Sequence, residues 1–381
     1  MTRANLATLL LSLAVALAGA EVGLRWAGIS YPEFNRLDTR LGWAPRPGLT
    51  GSYAMEGQSE IAINAAGFRD TDHAIAKPTG VLRLAVLGDS FAEGREVALQ
   101  KVFWKRLESP LAACLARPVE VLGFAVNGYG TAQELLVLEQ TALAYQPDIV
   151  LLAFFSGNDV QNNLRRLDGH PDRPYFVLQD GALALDASNT QGFRFTAKAL
   201  WSDLKHGLFN ALRILQLARQ GYRRLRGFFK YRDHDLAAQL AAGLDPRVYQ
   251  PPADAAWQQA WAVTEALIKA LRDKSAAAGA DFWLATLSNP VQVHPDAALR
   301  QRLATELGIQ DLDYPDRRLA AFAATQAIPV VTLVDELRAR AERQNKNPHG
   351  RPGFAGGHWN ETGHQWAAEI LAERLCRAYG G

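Results

Sequence analysis

Five short apolar runs recur along the chain with longer amphipathic stretches between them: 81–87 (VLRLAVL), 119–124 (VEVLGF), 148–155 (DIVLLAFF), 281–287 (DFWLATL) and 328–334 (IPVVTLV). Runs of roughly four to eight residues, bounded by turns, mark strands buried on both faces. Such strands need helices above and below them, which restricts the chain to an α/β fold with a doubly wound parallel sheet of five strands. Helices are expected at 101–117, 131–146, 255–279 and 314–327, with a last one at 361–378. Ligands of an open parallel sheet lie outside the carboxyl ends of its strands. The loops that follow these runs are therefore where chemistry is expected.

The rest of the 381 residues divides around this pattern. Residues 1–29 open with Arg3 and the charge-free apolar run 7–20, which ends in Ala18-Gly19-Ala20. This is the form of a signal peptide, or of a signal anchor if the helix continues past Glu21 and Arg25. The body is therefore expected outside the cytoplasm, either periplasmic or tethered to the membrane. Residues 30–80 are rich in Pro, Gly and turn residues and predict a small β-rich approach segment. Residues 81–381 form the main domain, with an insertion of about 160–254 between the third and fourth strands. Cys114 and Cys376 could pair in an oxidising compartment, and neither has the spacing of a metal ligand.

The insertion carries its own charge. Residues 194–232 hold ten Lys and Arg against one acid, Asp203, a local net of +9 in a chain whose total is +2. The remainder is therefore acidic, and the chain as a whole is no polyelectrolyte partner for nucleic acid. Leu204, Leu208, Leu212, Leu215 and Leu217 recur at helical spacing within the basic stretch. They predict an amphipathic helix that lies on an anionic membrane surface, caps the active site or binds an anionic glycan. Interleaved aromatics such as Trp201 and Tyr222 would suit single-stranded nucleic acid, which an exported protein rarely meets.

Three of the strand ends carry small polar loops. The first leads into Gly88-Asp89-Ser90-Phe91, where the glycine permits a tight turn and the serine hydroxyl sits at the start of a helix, whose N–H groups favour an oxyanion. The second leads into Asn127-Gly128-Tyr129-Gly130-Thr131 and the third into Ser156-Gly157-Asn158-Asp159. After the fifth comes Gly357-His358-Trp359-Asn360-Glu361-Thr362-Gly363-His364, and a histidine there is placed to serve Ser90 as general base. Asp89 and Asp159 fit structural loop acids, His364 fits packing or capping, Tyr129 is expected to shape the cleft, and Ser288-Asn289-Pro290 to line it. The histidines at 73, 170, 206, 234, 294 and 349 show no metal-ligand spacing and are expected in surface positions or loops. No phosphate loop, complete dinucleotide fingerprint or zinc-protease motif is present, so neither a cofactor nor a metal is expected.

These four blocks, GDSF at 88–91, NGYGT at 127–131, SGND at 156–159 and HWNETGH at 358–364, resemble in order and placement those of the SGNH (GDSL) hydrolase family. The resemblance covers 81–160 and 280–378. It implies a three-layer flavodoxin-like sandwich with five parallel strands. Among residues it implies Ser90 as nucleophile, His358 as base, and an oxyanion hole made of Ser90, Gly128 and Asn158. In that family an aspartate usually precedes the histidine by two or three residues, and here Gly356 and Ala355 stand in those places. Asp335 is the nearest candidate substitute acid in sequence; the alternatives are a Ser-His dyad with a carbonyl as orienter, or a protein that binds rather than catalyses. The resemblance implies a serine esterase that works through an acyl-enzyme, and export, the membrane-proximal start and the large insertion suit an ester-bearing envelope glycan or lipid-like substrate. The alternatives are an O-acyltransferase acting on a polysaccharide and a catalytically weak envelope-binding protein.

Overall fold

The structure of the protein is a computed structural model, which describes residues 2–231, 235–241 and 243–380. Arg232, at the end of the basic stretch, and His234 lie outside the described residues. The five apolar runs form one parallel sheet of β1 (Leu82–Gly88), β2 (Val119–Ala125), β3 (Ile149–Phe155), β4 (Asp281–Leu287) and β5 (Val330–Thr332). Its strand order is β2-β1-β3-β4-β5, and every neighbouring pair is parallel. Every residue of β1 and β3 is buried, as expected of strands covered on both faces. Arg83, the one charge in the first run, is nearly inaccessible. Its guanidinium bonds Glu120 at 2.6 Å and the carbonyls of Ala74, Ile75 and Tyr145 at 2.7 to 2.9 Å. A buried cation is tolerated only when its donors are satisfied in this way.

Helices cover both faces. On one side Thr131–Gln140 and Ala255–Ala277 bury Leu136, Trp261 and Leu267 against the sheet. On the other, Glu108–Leu115, Val334–Gln344 and Glu361–Tyr379 bury Leu111, Leu337 and Leu371. The β5 strand is shorter than the apolar run 328–334 suggests, because that run turns at Leu333 into the helix Val334–Gln344. Cys114 and Cys376 are disulfide-bonded and join the helix Glu108–Leu115 to the C-terminal helix.

The approach segment consists of two antiparallel hairpins, Asn35–Asp38 with Gly42–Pro45 and Thr50–Tyr53 with Ser59–Ala62. Before it stands a 24-residue helix, Arg3–Trp26, with no buried residue and with the length and hydropathy needed to cross a membrane. The insertion holds an antiparallel hairpin, Tyr175–Gln179 with Ala182–Asp186, as well as helices. The single amphipathic helix expected in the basic stretch is in fact two, Phe193–Ala211 and Arg213–Tyr231, because Leu212 leaves helical geometry at φ −115° and ψ 108°.

Candidate active site

The order β2-β1-β3 places the loop after β1 between those after β2 and β3. Ser90 therefore lies between the Gly128 turn and Asn158. Ser90 opens the short helix Ser90–Glu93. Asp89 caps that helix by accepting a hydrogen bond from the Phe91 N–H at 2.9 Å, and Gly94 ends it in the left-handed region. The other carboxylate oxygen of Asp89 accepts from Asn158 Nδ2 at 3.0 Å. One buried acid thus ties the nucleophile turn to the amide that faces it; burial raises its pKa. Gly128 sits at φ +78°, where a side chain would be strained.

His358 lies in the strand Phe354–Trp359, and its Nε2 is 2.8 Å from Ser90 Oγ. The structure thus brings the two residues read from distant motifs into direct contact. It does not bring Asp335 there. That carboxylate is 78% exposed at the start of a surface helix and lies 3.5 Å from Arg338. The acid at His358 is instead Glu56, whose Oε2 stands 2.8 Å from Nδ1 and also accepts the His358 backbone N–H at 3.0 Å. Glu56 occupies the tip of the hairpin between Thr50–Tyr53 and Ser59–Ala62, in the approach segment. A second carboxylate, Glu96, places Oε1 3.4 Å from the same nitrogen.

Glycines make this arrival from across the fold sterically feasible. Gly357 has φ +84°, and a Cβ there would stand 2.4 Å from Glu56 Oε2. A Cβ on Gly57 would meet the carbonyl oxygen of Glu96 at 2.1 Å. The stretch that in the resembled family carries the acid here carries the space that admits one. The glycine next to His358, adjoining the missing aspartate's place, and a Glu-Gly pair in a turn were the only sequence signals of this arrangement, and neither names its partner.

The electrostatics follow from the contacts. Burial alone would lower the His358 pKa, but Glu96, Glu56 and Asp89 outweigh it and push the imidazole up to about 10. Burial likewise favours the neutral Glu56, yet the hydrogen bond and charge of His358 hold its carboxyl below the usual range. Glu96 is raised, by burial first, and Glu56 beside it adds to the effect while His358 opposes it. A dipolar chain of Glu56, His358 and Ser90 results. In the fraction of molecules whose imidazole is neutral it can take a proton from the hydroxyl, and the acids stabilise the resulting imidazolium.

Other expected residues lie deeper. Tyr129 does not shape the cleft: it is fully buried, and its hydroxyl donates to the Trp43 carbonyl at 2.6 Å. Ser288, Asn289 and Pro290 are buried too, and Ser288 Oγ accepts from Trp359 Nε1 at 2.9 Å. Nor is His349 a surface residue. It is buried with Nε2 3.0 Å from Ser288 Oγ and Nδ1 2.8 Å from the Gly357 carbonyl, and burial pushes its pKa down to about 3. This neutral imidazole holds the turn that precedes His358. His364 packs against Phe103 and Trp359, also neutral by burial. Asp159 accepts from the Phe155 N–H at 2.8 Å as a loop acid. A cleft of 840 Å³ opens beside the histidine and is lined by Glu56, Lys101, Gln239, Asn347, Arg351 and His358 among others.

No family model matches the sequence, and no curated protein matches it. The solved structures it resembles are lipases, acylhydrolases and acetyl xylan esterases. One is an acetyl xylan esterase, 12% identical over 77% of this chain and 100% of its own, with a TM-score of 0.39. A lipase from a goat rumen metagenome is 14% identical over 77% and 97%, with a TM-score of 0.40. A GDSL-like lipase from Bacteroides thetaiotaomicron is 12% identical over 78% and 88%, with a TM-score of 0.34. Similarity at this level carries nothing about substrate or individual residues.

Proposed function

We propose that the protein is a serine-dependent carboxylic ester hydrolase of the SGNH type, and the observation that carries this reading is the continuous chain Glu56–His358–Ser90 with 2.8 Å at each link. Ser90 Oγ attacks the ester carbonyl while His358 Nε2 takes the hydroxyl proton. The charge that develops on the carbonyl oxygen is met by the N–H groups of Ser90 and Gly128 and by Asn158 Nδ2. Collapse breaks the bond to the alcohol, which leaves with the proton from His358 and an acyl group on Ser90. Water, deprotonated by the same histidine, then attacks the acyl-enzyme and returns the serine.

The disulfide and the apolar N-terminal helix support a site of action outside the cytoplasm, in the periplasm or tethered to the membrane. The cleft beside His358 mixes charged and amide side chains such as Lys101, Arg351 and Asn347 with apolar ones such as Val97, Leu236 and Phe354, and, with the site of action outside the cytoplasm, the reading favours removal of small acyl groups from an envelope glycan. Acyl transfer to a sugar hydroxyl is the second reading, since it differs from hydrolysis only in whether water or the hydroxyl resolves the acyl-enzyme. The reading as a binding protein drew on a missing acid, and Glu56 speaks against it.

The test is hydrolysis of acetyl and butyryl esters by the purified chain beside Ser90→Ala and His358→Ala, with intact mass used to seek the adduct. Turnover lost in both variants and an acyl adduct in the wild type are expected; added glycan that diverts acyl groups from water would identify a transferase. Hydrolysis unchanged in Ser90→Ala would overturn the proposal.

A further inference from the structure

The two long helices of the insertion are built inside out. In Phe193–Ala211, Phe195 is the one buried side chain, and polar side chains make the hydrogen-bonded contacts with the approach segment. Asp203 bonds Arg46 at 2.7 Å, and the Asn210 side chain accepts from the Glu33 N–H at 2.7 Å. In Arg213–Tyr231, Gln216 is 1% exposed and accepts from the Tyr31 N–H, while Gln220 is 7% exposed and donates to the Ala54 carbonyl. The apolar residues point away. Leu200, Trp201, Leu204 and Leu208, on one face of the first helix, and Leu215, Tyr222 and Leu225 of the second are all exposed. A helix that a water-soluble domain keeps on its surface has the opposite arrangement, because apolar area gains by leaving water.

This outward apolar face is continuous with the N-terminal helix. Glu21 accepts the Arg213 and Ile214 N–H groups at 3.0 and 3.1 Å, which caps the second insertion helix. Arg25 bonds Glu21 at 2.8 Å and donates to the Ala211 carbonyl at the end of the first. The elbow between the insertion helices is therefore fixed to the last turns of the one described helix long and apolar enough to cross a bilayer. Beside the apolar stripe Arg194, Lys205 and Arg226 are exposed, with a charge that suits anionic headgroups, while Arg223 and Arg224 turn back to Glu33 and the Ala54 carbonyl.

We propose that the outward face of Phe193–Ala211 and Arg213–Tyr231 lies in the surface of an anionic phospholipid bilayer, the same bilayer that the N-terminal helix enters. The domain is then held at a fixed attitude on the membrane by three helices instead of swinging on one. This goes beyond the esterase reading and does not depend on it.

The test uses the full chain in vesicles of phosphatidylethanolamine and phosphatidylglycerol. A fluorophore is attached in turn at Leu204→Cys, at Leu225→Cys and, as a control on the exposed helix Ala297–Glu306, at Arg302→Cys; the two native cysteines are paired and do not compete. Nitroxide lipids labelled near the headgroup should quench the probes at 204 and 225 several-fold more than the probe at 302. Equal quenching at all three sites overturns the proposal, whether the chain sits by its N-terminal helix alone, another protein covers the face or the chain leaves the vesicles. Ester hydrolysis by the same labelled chains separates the two readings, since loss of quenching with hydrolysis intact refutes only this one.

Discussion

Replacing Glu56 by glutamine tests the site most directly, because it removes the charge and keeps an acceptor for the His358 backbone N–H. At 2.8 Å a carboxylate and an imidazolium attract by about 1.5 kcal/mol at the permittivity of water and about 6 kcal/mol at an effective value near 20. The Glu56 side chain is 35% exposed, which places the interaction between those limits, at about 3 kcal/mol. On the alkaline plateau, where His358 starts neutral, the imidazolium forms only as the serine attacks, so that energy belongs to the transition state and its loss lowers kcat by about 10²-fold. KM should change little, because Glu56 acts on His358 and not on the ester. Rates must be compared on their alkaline plateaus. At lower pH the variant gains free imidazole as its histidine pKa falls, and this masks the loss. A plateau within threefold of the wild type would refute the assignment, as would an equal loss in Asp335→Asn, which should be silent.

Three further outcomes follow from the same contacts. Because only the neutral imidazole accepts a proton, a His358 pKa raised to about 10 makes kcat/KM climb with pH well beyond the ordinary histidine range. Glu96→Gln should move that limb to lower pH, and a limb near 6.5 in both proteins would contradict the electrostatics. Gly357→Ala puts a methyl group 2.4 Å from Glu56 Oε2 at φ +84°, so it should lose rate to a degree comparable with Glu56→Gln, with about 1–2 kcal/mol of stability, read by kinetics and thermal melting. Cys114→Ser opens the disulfide to Cys376 and should cost about 2–5 kcal/mol in denaturant unfolding, with the wild type matching it under reductant.

The sheet was legible because each strand is a short apolar run, and β1 to β4 begin and end within a residue or so of those runs. The helix Val334–Gln344 was not, since only Val334, Leu337 and Ala341 are buried in an otherwise charged sequence that directly continues a strand. Ser90 was legible as a loop at a strand end and His358 from the block before the last helix, and so was their meeting, although a helix and a small hairpin separate His358 from the fifth strand and His358 itself stands in that hairpin. The acid was not. Glu56 is separated from His358 by 302 residues, so no spacing rule connects them. Periodicity could not reveal the inside-out helices either: it shows that a helix has two faces, not which of them the protein covers.

The approach segment, which lies outside the resembled motifs, is in physical terms continuous with the Ser90–His358 site. Arg69, buried to 2% exposure, donates to the carbonyls of Glu93, Gly94 and Val97, at the end of the Ser90–Glu93 helix and just after it. Ser59, on the hairpin that presents Glu56, donates to the Arg95 carbonyl. Glu56 and the Ser90 loop are therefore braced against each other by neighbours in one segment, and the distance from acid to nucleophile does not depend on the remote C-terminal turn alone. That same segment meets the insertion helices through Tyr31, Glu33 and Ala54, the last only two residues before Glu56. A family-type acid beside the histidine would make the triad independent of this region. Here the carboxylate stands at the end of a chain of contacts that begins at the outward-facing helices, so loosening of those contacts should disturb the pairing of acid and histidine before it disturbs Ser90 itself.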